Sequence, residues 1–372
     1  MTARDMESVV KHFGIDGELV DAKLLARGHI NDTYILAGER HAVAARYVLQ
    51  RINHRVFKDP PSMMTNIIRV TEHISAKMRD IDAPLASRQL TVIGADNGRG
   101  YYEDSDGNFW RAYNFIENAV TRDSLESTEL ACEAARMFGW FQRMLIDLPG
   151  PVLHETIGDF HNTPRRFEVL QEVLAADRLN RAKDAKPEID FVSENSGLCN
   201  VLLDLAGKGE IPVRIAHNDT KINNVMLDEK TNKGVCVIDL DTVMPGLSVY
   251  DFGDMIRTAT CSAQEDERDF SKVAVDISMF EALVRGFAAE TSKFLTTAEK
   301  KHLVFAGKLI TFEQLIRFLT DYLAGDVYYK ISRQGHNLDR SRTQMKLVAS
   351  IIEREEVMNE LVERVFAENS AQ

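Results

Sequence analysis

Within His217-Asn218-Asp219-Thr220-Lys221-Ile222-Asn223-Asn224, a histidine, an aspartate and an asparagine fall in the order His-x-Asp-x-x-x-x-Asn. Those residue types at that spacing suit phosphoryl transfer. A carboxylate at Asp219 can orient an attacking hydroxyl and receive its proton late in the reaction. His217 is expected to brace the loop through its ring nitrogens. Asn224 carries an amide oxygen, and magnesium prefers oxygen ligands. The plain alternative is a polar turn between two helices. The next residues of the chain weigh against it. Asn224-Val225-Met226-Leu227 opens a short apolar run, Asp228 to Gly234 form a polar turn, and Val235-Cys236-Val237-Ile238 run back into Asp239. A loop that feeds a hairpin ending on a second aspartate is a phosphoryl-transfer layout.

Asn224 and Asp239 are therefore the expected magnesium ligands, with phosphate oxygens and water completing the shell. Asp241 lies one β-period beyond Asp239, so both can face the same side, and it is expected to assist. A strand end with solvated acids is the alternative for this pair. Asp251-Phe252-Gly253 spells a metal-carrying tripeptide. Asp239, however, ends the β run, and Asp251 does not. Asp251 is expected to cap the helix beginning there, or to hold the loop from behind.

A nucleotide needs a turn over its phosphates and walls around its base. Gly28-His29-Ile30-Asn31-Asp32-Thr33-Tyr34 is the expected turn, or else a plain hairpin. Gly28 permits close approach, and Asn31 and Thr33 can donate or brace. The strand Tyr47-Val48-Leu49-Gln50-Arg51 comes next, where a phosphate-pairing lysine is expected. It offers Gln50 and Arg51 instead, and one of these neighbours must point away. Glu72, on the next helix, is either a partner for Arg51 or a solvated side chain. Phe115-Ile116-Glu117-Asn118 reads as a hinge whose backbone meets a base, with Phe115 and Ile116 as apolar walls. Arg317, among apolar neighbours in a helical stretch, and Tyr328 are expected acceptor contacts with Asp219 and His29. His154, His161, Arg165 and Arg166 precede or open a helix and read as surface loop, with a substrate loop as the alternative.

These residues need elements to position them. Residues 1 to about 118 read as strand-rich with one helix. Tyr34-Ile35-Leu36, Tyr47-Val48-Leu49, Leu90 to Ile93 and Phe109 to Tyr113 are β-type runs. Met63 to Met78 is helical, behind Pro60-Pro61. From Glu126 the period changes to about 3.6, with Leu130, Ala134, Met137, Phe138, Phe141 and Leu145 on one face. Thr163 is the expected cap of another helix, with Pro164 in its first turn. After Asp254 the chain reads mostly helical. The expected class is α+β and protein-kinase-like: a small sheet lobe over 1–118 and a larger, mainly helical lobe over 119–372.

At 372 residues the chain is long enough for two lobes and a sizeable core. The net charge is −12, and no Lys/Arg block interrupts it, so no nucleic-acid partner is expected. None of the four cysteines form Cys-x-x-Cys, which argues against a zinc site. No apolar run approaches the roughly 20 residues of a membrane span, and the first residues lack a signal core. A cytoplasmic, reduced enzyme with no membrane or protein partner is the expectation. No Cys/Ser-x-Pro-x-Arg nucleophile motif is present, so sulfatase chemistry is rejected.

The HNDTKINNVM and VIDLDTVMPG segments resemble the aminoglycoside phosphotransferase superfamily. More narrowly, GHINDTY, YVLQRIN, RAYNFIE, GDFHNTPRRF, YDFGDMIR, RFLTDYLAGDVYY and HNLDRSRTQ resemble the N-acetylhexosamine 1-kinase family through nearly all of the chain. The resemblance implies ATP-dependent phosphorylation of the anomeric hydroxyl of N-acetylglucosamine or N-acetylgalactosamine. It puts Asp219 in the base position and Asn224 and Asp239 in the metal positions. The rivals are a kinase of another hexose, an amino alcohol or an aminoglycoside, and a nucleotide-binding regulatory pseudokinase.

Overall fold

The computed structural model describes residues 3–15, 18–25, 30–40, 43–124 and 126–370. The chain forms two compact units. The first comprises residues 1–120, 144–158 and 226–245, and the second 121–143, 159–225 and 246–372. The first edge falls at Val120. Two later segments also join the first unit, and one of them carries Asp239 and Asp241.

In the first unit, helix α1 (Ala3–Val10) precedes β1 (Glu18–Leu25), β2 (Asp32–Arg40) and β3 (Val43–Ile52). Helix α2 (Pro60–Ile81) and the single turn α3 (Ala83–Ala86) come next. Strands β4 (Val92–Ile93), β5 (Tyr102–Glu103), β6 (Phe109–Asn114) and β7 (Ala119–Val120) complete this stretch. The sheet is antiparallel in the order β1-β2-β3-β6-β4, with β5 also on β6. Its register lines up two ranks. Tyr34, Leu49 and Ala112 pair across β2, β3 and β6, and so do Thr33, Gln50 and Arg111. Alternation sends these ranks to opposite faces. The first packs under Met6, Val9, Val10 and Phe13 of α1 and its following turn. The second faces a polar interior.

Helix α2 starts where Asp59 accepts the Ser62 amide and Pro60-Pro61 occupy the first turn. Met63, Met64, Ile67, Val70, Ile74 and Met78 form its buried stripe. Asn66 interrupts that stripe and is fully buried. It bonds the His154 and Val243 carbonyls and accepts the His154 amide. Glu72 is exposed on the other side, as the solvated reading had it. The predicted hairpin forms as β9 (Val225–Asp228) and β10 (Gly234–Val237), with β7 beside β9. Asp228 shapes the turn by accepting the Lys230 and Thr231 amides.

The second unit is mainly helical. It contains α4 (Thr128–Leu145), α5 (Thr163–Ala176), α6 (Lys186–Glu194) and α7 (Val201–Gly207). The short strand β8 (Arg214–Ala216) leads into the His217 loop. Then come α8 (Ser248–Ala259), α9 (Ile277–Thr291), α10 (Thr297–Lys301), α11 (Leu303–Ala324) and α12 (His336–Ser370). The cap of α5 is Asn162, which accepts the Arg165 amide, and not Thr163. Helices α8 and α11 cross so closely that a Cβ on Gly253 would lie 2.6 Å from the Ala306 carbonyl oxygen. Among the described residues, no helix is long and apolar enough to cross a membrane.

Candidate active site

The catalytic-loop motif sits in the second unit, and its backbone is held by one carboxylate. Asp251 accepts the amides of His217 (3.0 Å) and Asn218 (2.8 Å) and the Gln142 side chain (2.6 Å). It is fully buried. Of the two readings of Asp251, the brace is the observed one, since α8 begins three residues earlier. Phe252 fills the core and Gly253 permits the helix crossing, so the whole tripeptide is structural. Thr220 adds two further ties, its hydroxyl to the Asp251 carbonyl and its amide to Asp254. Asn218 adopts the left-handed conformation, φ 65°. Such backbone is uncommon outside glycine and needs this degree of anchoring.

His217 is buried edge-on against Phe138 and Phe141, and its Nδ1 accepts the Asp219 amide. This bond ties the ring to the backbone of the loop. The Asp219 carboxylate remains about a quarter exposed, and Lys221 Nζ lies 2.7 Å from its Oδ1. Burial raises the affinity of this carboxyl for a proton. Lys221, His217 and Arg257 oppose burial and hold it below its ordinary value. Asn224 donates its amide nitrogen to the Asp219 carbonyl (2.8 Å) and carboxylate (3.3 Å). That orientation leaves the amide oxygen as the end suited to a cation.

In the first unit, Asp239 and Asp241 part company. Asp239 is exposed, in the left-handed region at φ 60°, ψ 57°. The strand has already ended at Val237, and a short 3-10 turn spans Leu240–Thr242. The two side chains therefore do not share a strand face. Asp241 is buried, with Oδ1 paired to Arg111 and Oδ2 accepting Asn31 Nδ2 at 2.7 Å. Its expected place beside Asp239 on one strand face is corrected: the strand has already ended, and both Asp241 oxygens are engaged by side chains.

Gln50 is spanned as well. Its nitrogen donates to Thr33 Oγ1 (3.0 Å), and its oxygen accepts Arg111 Nε (2.9 Å). Arg51 lies on the opposite face, paired with Asp32 and 6.0 Å from the Trp110 ring centroid. Neither residue at the expected lysine position projects as a phosphate ligand. Asn31 and Thr33 act as braces, and Asn31 Oδ1 also accepts the Asn53 amide. Gly28 and His29 lie outside the described residues. In the expected hinge, Ile116 is buried with Ala119, Val235 and Cys236. The Phe115 ring lies 3.9 Å from the Arg46 guanidinium, and Glu117 pairs with that arginine. The Glu117 and Asn118 carbonyls accept Arg88.

A polar cluster in the second unit was missed or misplaced at the level of sequence. Glu313 is buried and accepts His161 Nδ1 (2.9 Å) and the Thr163 hydroxyl (2.7 Å). Burial would raise its carboxyl, but His161 and then Arg317 hold it low. His161 Nε2 reaches the Asn218 carbonyl at 3.3 Å, which joins this cluster to the catalytic loop. Arg317 bonds Gln314 and lies 5.8 Å from the ring centroids of Phe160 and Tyr329. Arg166 Nε and Tyr250 Oη are buried without a hydrogen-bond partner. Tyr328 is 63% exposed, and Asp321 accepts its amide along with those of Val327 and Tyr329. Glu313 and Arg317, four apart on one helical face amid apolar residues, were the signal available. Lys221, inside the motif, was another.

Among the described residues, no three His, Cys, Asp or Glu side chains gather as a metal site. An all-protein cage is therefore absent from them. Asp239 in the first unit and Asn224 in the second each carry an oxygen of the type magnesium takes.

An antiparallel N-terminal sheet, a mainly helical remainder and this braced loop define a kinase-like phosphotransferase. Residues 21–274 match the phosphotransferase enzyme family (APH), and the chain belongs to it. The fold is similar to that of an aminoglycoside phosphotransferase from Alicyclobacillus acidocaldarius. That match has TM-score 0.59 and 13% identity, covering 97% of this chain and 96% of the other. A spectinomycin phosphotransferase solved with ADP and spectinomycin gives 0.53 and 13%, covering 96% and 99%. Choline kinase from Cryptosporidium parvum gives 0.50 and 14%, covering 96% and 94%.

Proposed function

We propose that this enzyme transfers the terminal phosphoryl group of ATP to the anomeric hydroxyl of an N-acetylhexosamine. The observation that carries the acceptor class is the charge of the Glu313 cluster. Two guanidiniums, Arg166 and Arg317, meet one buried carboxylate. Burial and then the Arg317 charge push Arg166 below its ordinary basicity. A cationic acceptor such as an amino alcohol or an aminoglycoside would meet net positive charge there. A neutral polyol would not. The orphaned Arg166 Nε and Tyr250 Oη are hydrogen-bonding groups suited to hydroxyl and amide oxygens. Phe160, Tyr250 and Tyr329 add apolar ring faces.

On this reading Asp219 orients the acceptor hydroxyl. The hydroxyl oxygen bonds to the terminal phosphorus, the bond to the departing ADP oxygen breaks, and the proton ends on Asp219. A carboxylate held at low basicity suffices, because the proton moves late. Asn224 and Asp239 would each give an oxygen to magnesium. When bound, that ion neutralises charge on the phosphate oxygens. Nucleotide binding is assigned to the sheet-bearing unit, and acceptor binding to the helical one. The intact Asp219, Asn224 and Asp239 weigh against a pseudokinase. The test is kcat/KM over a panel of N-acetylhexosamines, other free hexoses, choline, ethanolamine and aminoglycosides. Preference for a neutral N-acetylhexosamine is expected. Good turnover of an amino alcohol, with none of either N-acetylhexosamine, would overturn the proposal.

A further inference from the structure

The strand that should carry a phosphate-pairing lysine has none, yet its face is not without charge. On the Thr33–Gln50–Arg111 rank, the cation is Arg111 of β6, the cross-strand partner of Gln50. It is 1% exposed. Its Nε is held by Gln50 and its Nη1 by Asp241, two residues from Asp239. Asn31 closes the network on the other Asp241 oxygen. Of the two arginines on β3 itself, Arg51 sits on the opposite face with Asp32, and Arg46 is paired with Glu117. Gln50, at the lysine position, has become the brace of its neighbour.

We propose that Arg111 is the positioning residue that carries the fixed positive charge of the missing strand lysine, moved one strand over from β3 to β6. It holds Asp241 off the metal. It also offsets the Asp241 carboxylate, so that nucleotide phosphates do not meet the charges of both hairpin-end carboxylates in full. The Asp241 carboxylate holds the guanidinium charged against the cost of burial, and burial keeps water from screening it. The inference rests on the proposed assignment of magnesium nucleotide to this unit.

The experiment is calorimetric titration with ADP and magnesium, paired with thermal denaturation of the nucleotide-free protein. Arg111→Met alone leaves Asp241 buried and unpaired, which threatens the fold. The neutral pair Arg111→Met with Asp241→Asn avoids this. It removes one charge of each sign, so it is expected to melt near the wild type and to bind magnesium ADP within about three-fold of it, whereas Arg111→Met alone, where it folds, is expected to bind about ten-fold more weakly, the scale of a unit charge lost at several ångströms. Arg111→Met with Gln50→Lys returns the charge to β3, and Arg111→Lys keeps it on β6. Both are expected within about three-fold of the wild type, the worth of imperfect pairing. A loss of about ten-fold in the folded neutral pair, or wild-type affinity in folded Arg111→Met, would overturn the proposal. So would a loss of about ten-fold in the two lysine variants, and these variants decide if Arg111→Met fails to fold. Failure of the wild type itself to bind magnesium ADP would overturn the underlying assignment instead.

Discussion

The catalytic loop and the end of the hairpin each hold one accessible carboxylate and one buried one, but they brace them differently. At the loop, Asp219 is accessible while Asp251 is buried and receives backbone amides. At the hairpin end, Asp239 is exposed while Asp241 is buried and receives side chains, Arg111 and Asn31. The first arrangement fixes backbone and the second fixes charge. In both, the carboxylate assigned to chemistry follows or occupies a left-handed residue, Asn218 or Asp239. Remaining acceptor capacity, more than the spelling of a tripeptide, separates the acids that can meet a ligand from those that hold a loop.

Four changes would break or sharpen this contrast. The largest effect is expected from Asp219→Ala, which should lower turnover about a thousand-fold, within the range for a lost general base. Nucleotide affinity, read by calorimetry, should change little; its loss would count against the base assignment. Next, Asp239→Ala should weaken ADP binding at least about ten-fold at millimolar magnesium. The same titration without magnesium should show little difference from the wild type, and an equal loss in both conditions would contradict metal ligation. Third, Asp251→Ala should destabilise the protein by about 2–4 kcal/mol, since two buried amides and Gln142 lose their acceptor. Denaturant titration would show this, and an unchanged midpoint would contradict the brace. The smallest effect is expected from Lys221→Met. Lys221 holds the Asp219 carboxyl below its ordinary value, so removing it should raise that value. The acid limb of kcat/KM should move to higher pH. A limb that stays put or moves down would contradict the pairing.

The same distinction between local and distant partners explains what could be read in advance. His217, Asp219 and Asn224 lie within eight consecutive residues, and the hairpin betrayed itself by apolar runs about a polar turn. Asp241 was misjudged because two-residue spacing puts side chains on one face only while a strand continues, and this one stops at Val237. Alternation said that Gln50 and Arg51 point apart. Which one faced the interior depended on register with Arg111, which lies far along the chain. His161 and Arg166 looked like surface loop because their partner Glu313 sits on α11. Asn162 displaced Thr163 as helix cap for a similar reason: the Thr163 hydroxyl is committed to Glu313.

The acceptor assignment is the central claim, and phosphorus NMR of the reaction product tests it most directly. With ATP, magnesium and N-acetylglucosamine or N-acetylgalactosamine, the phosphate is expected on C1, with phosphorus coupled to the anomeric proton. Phosphate on any other hydroxyl, or no sugar phosphate from either epimer while an amino alcohol is phosphorylated, would contradict it.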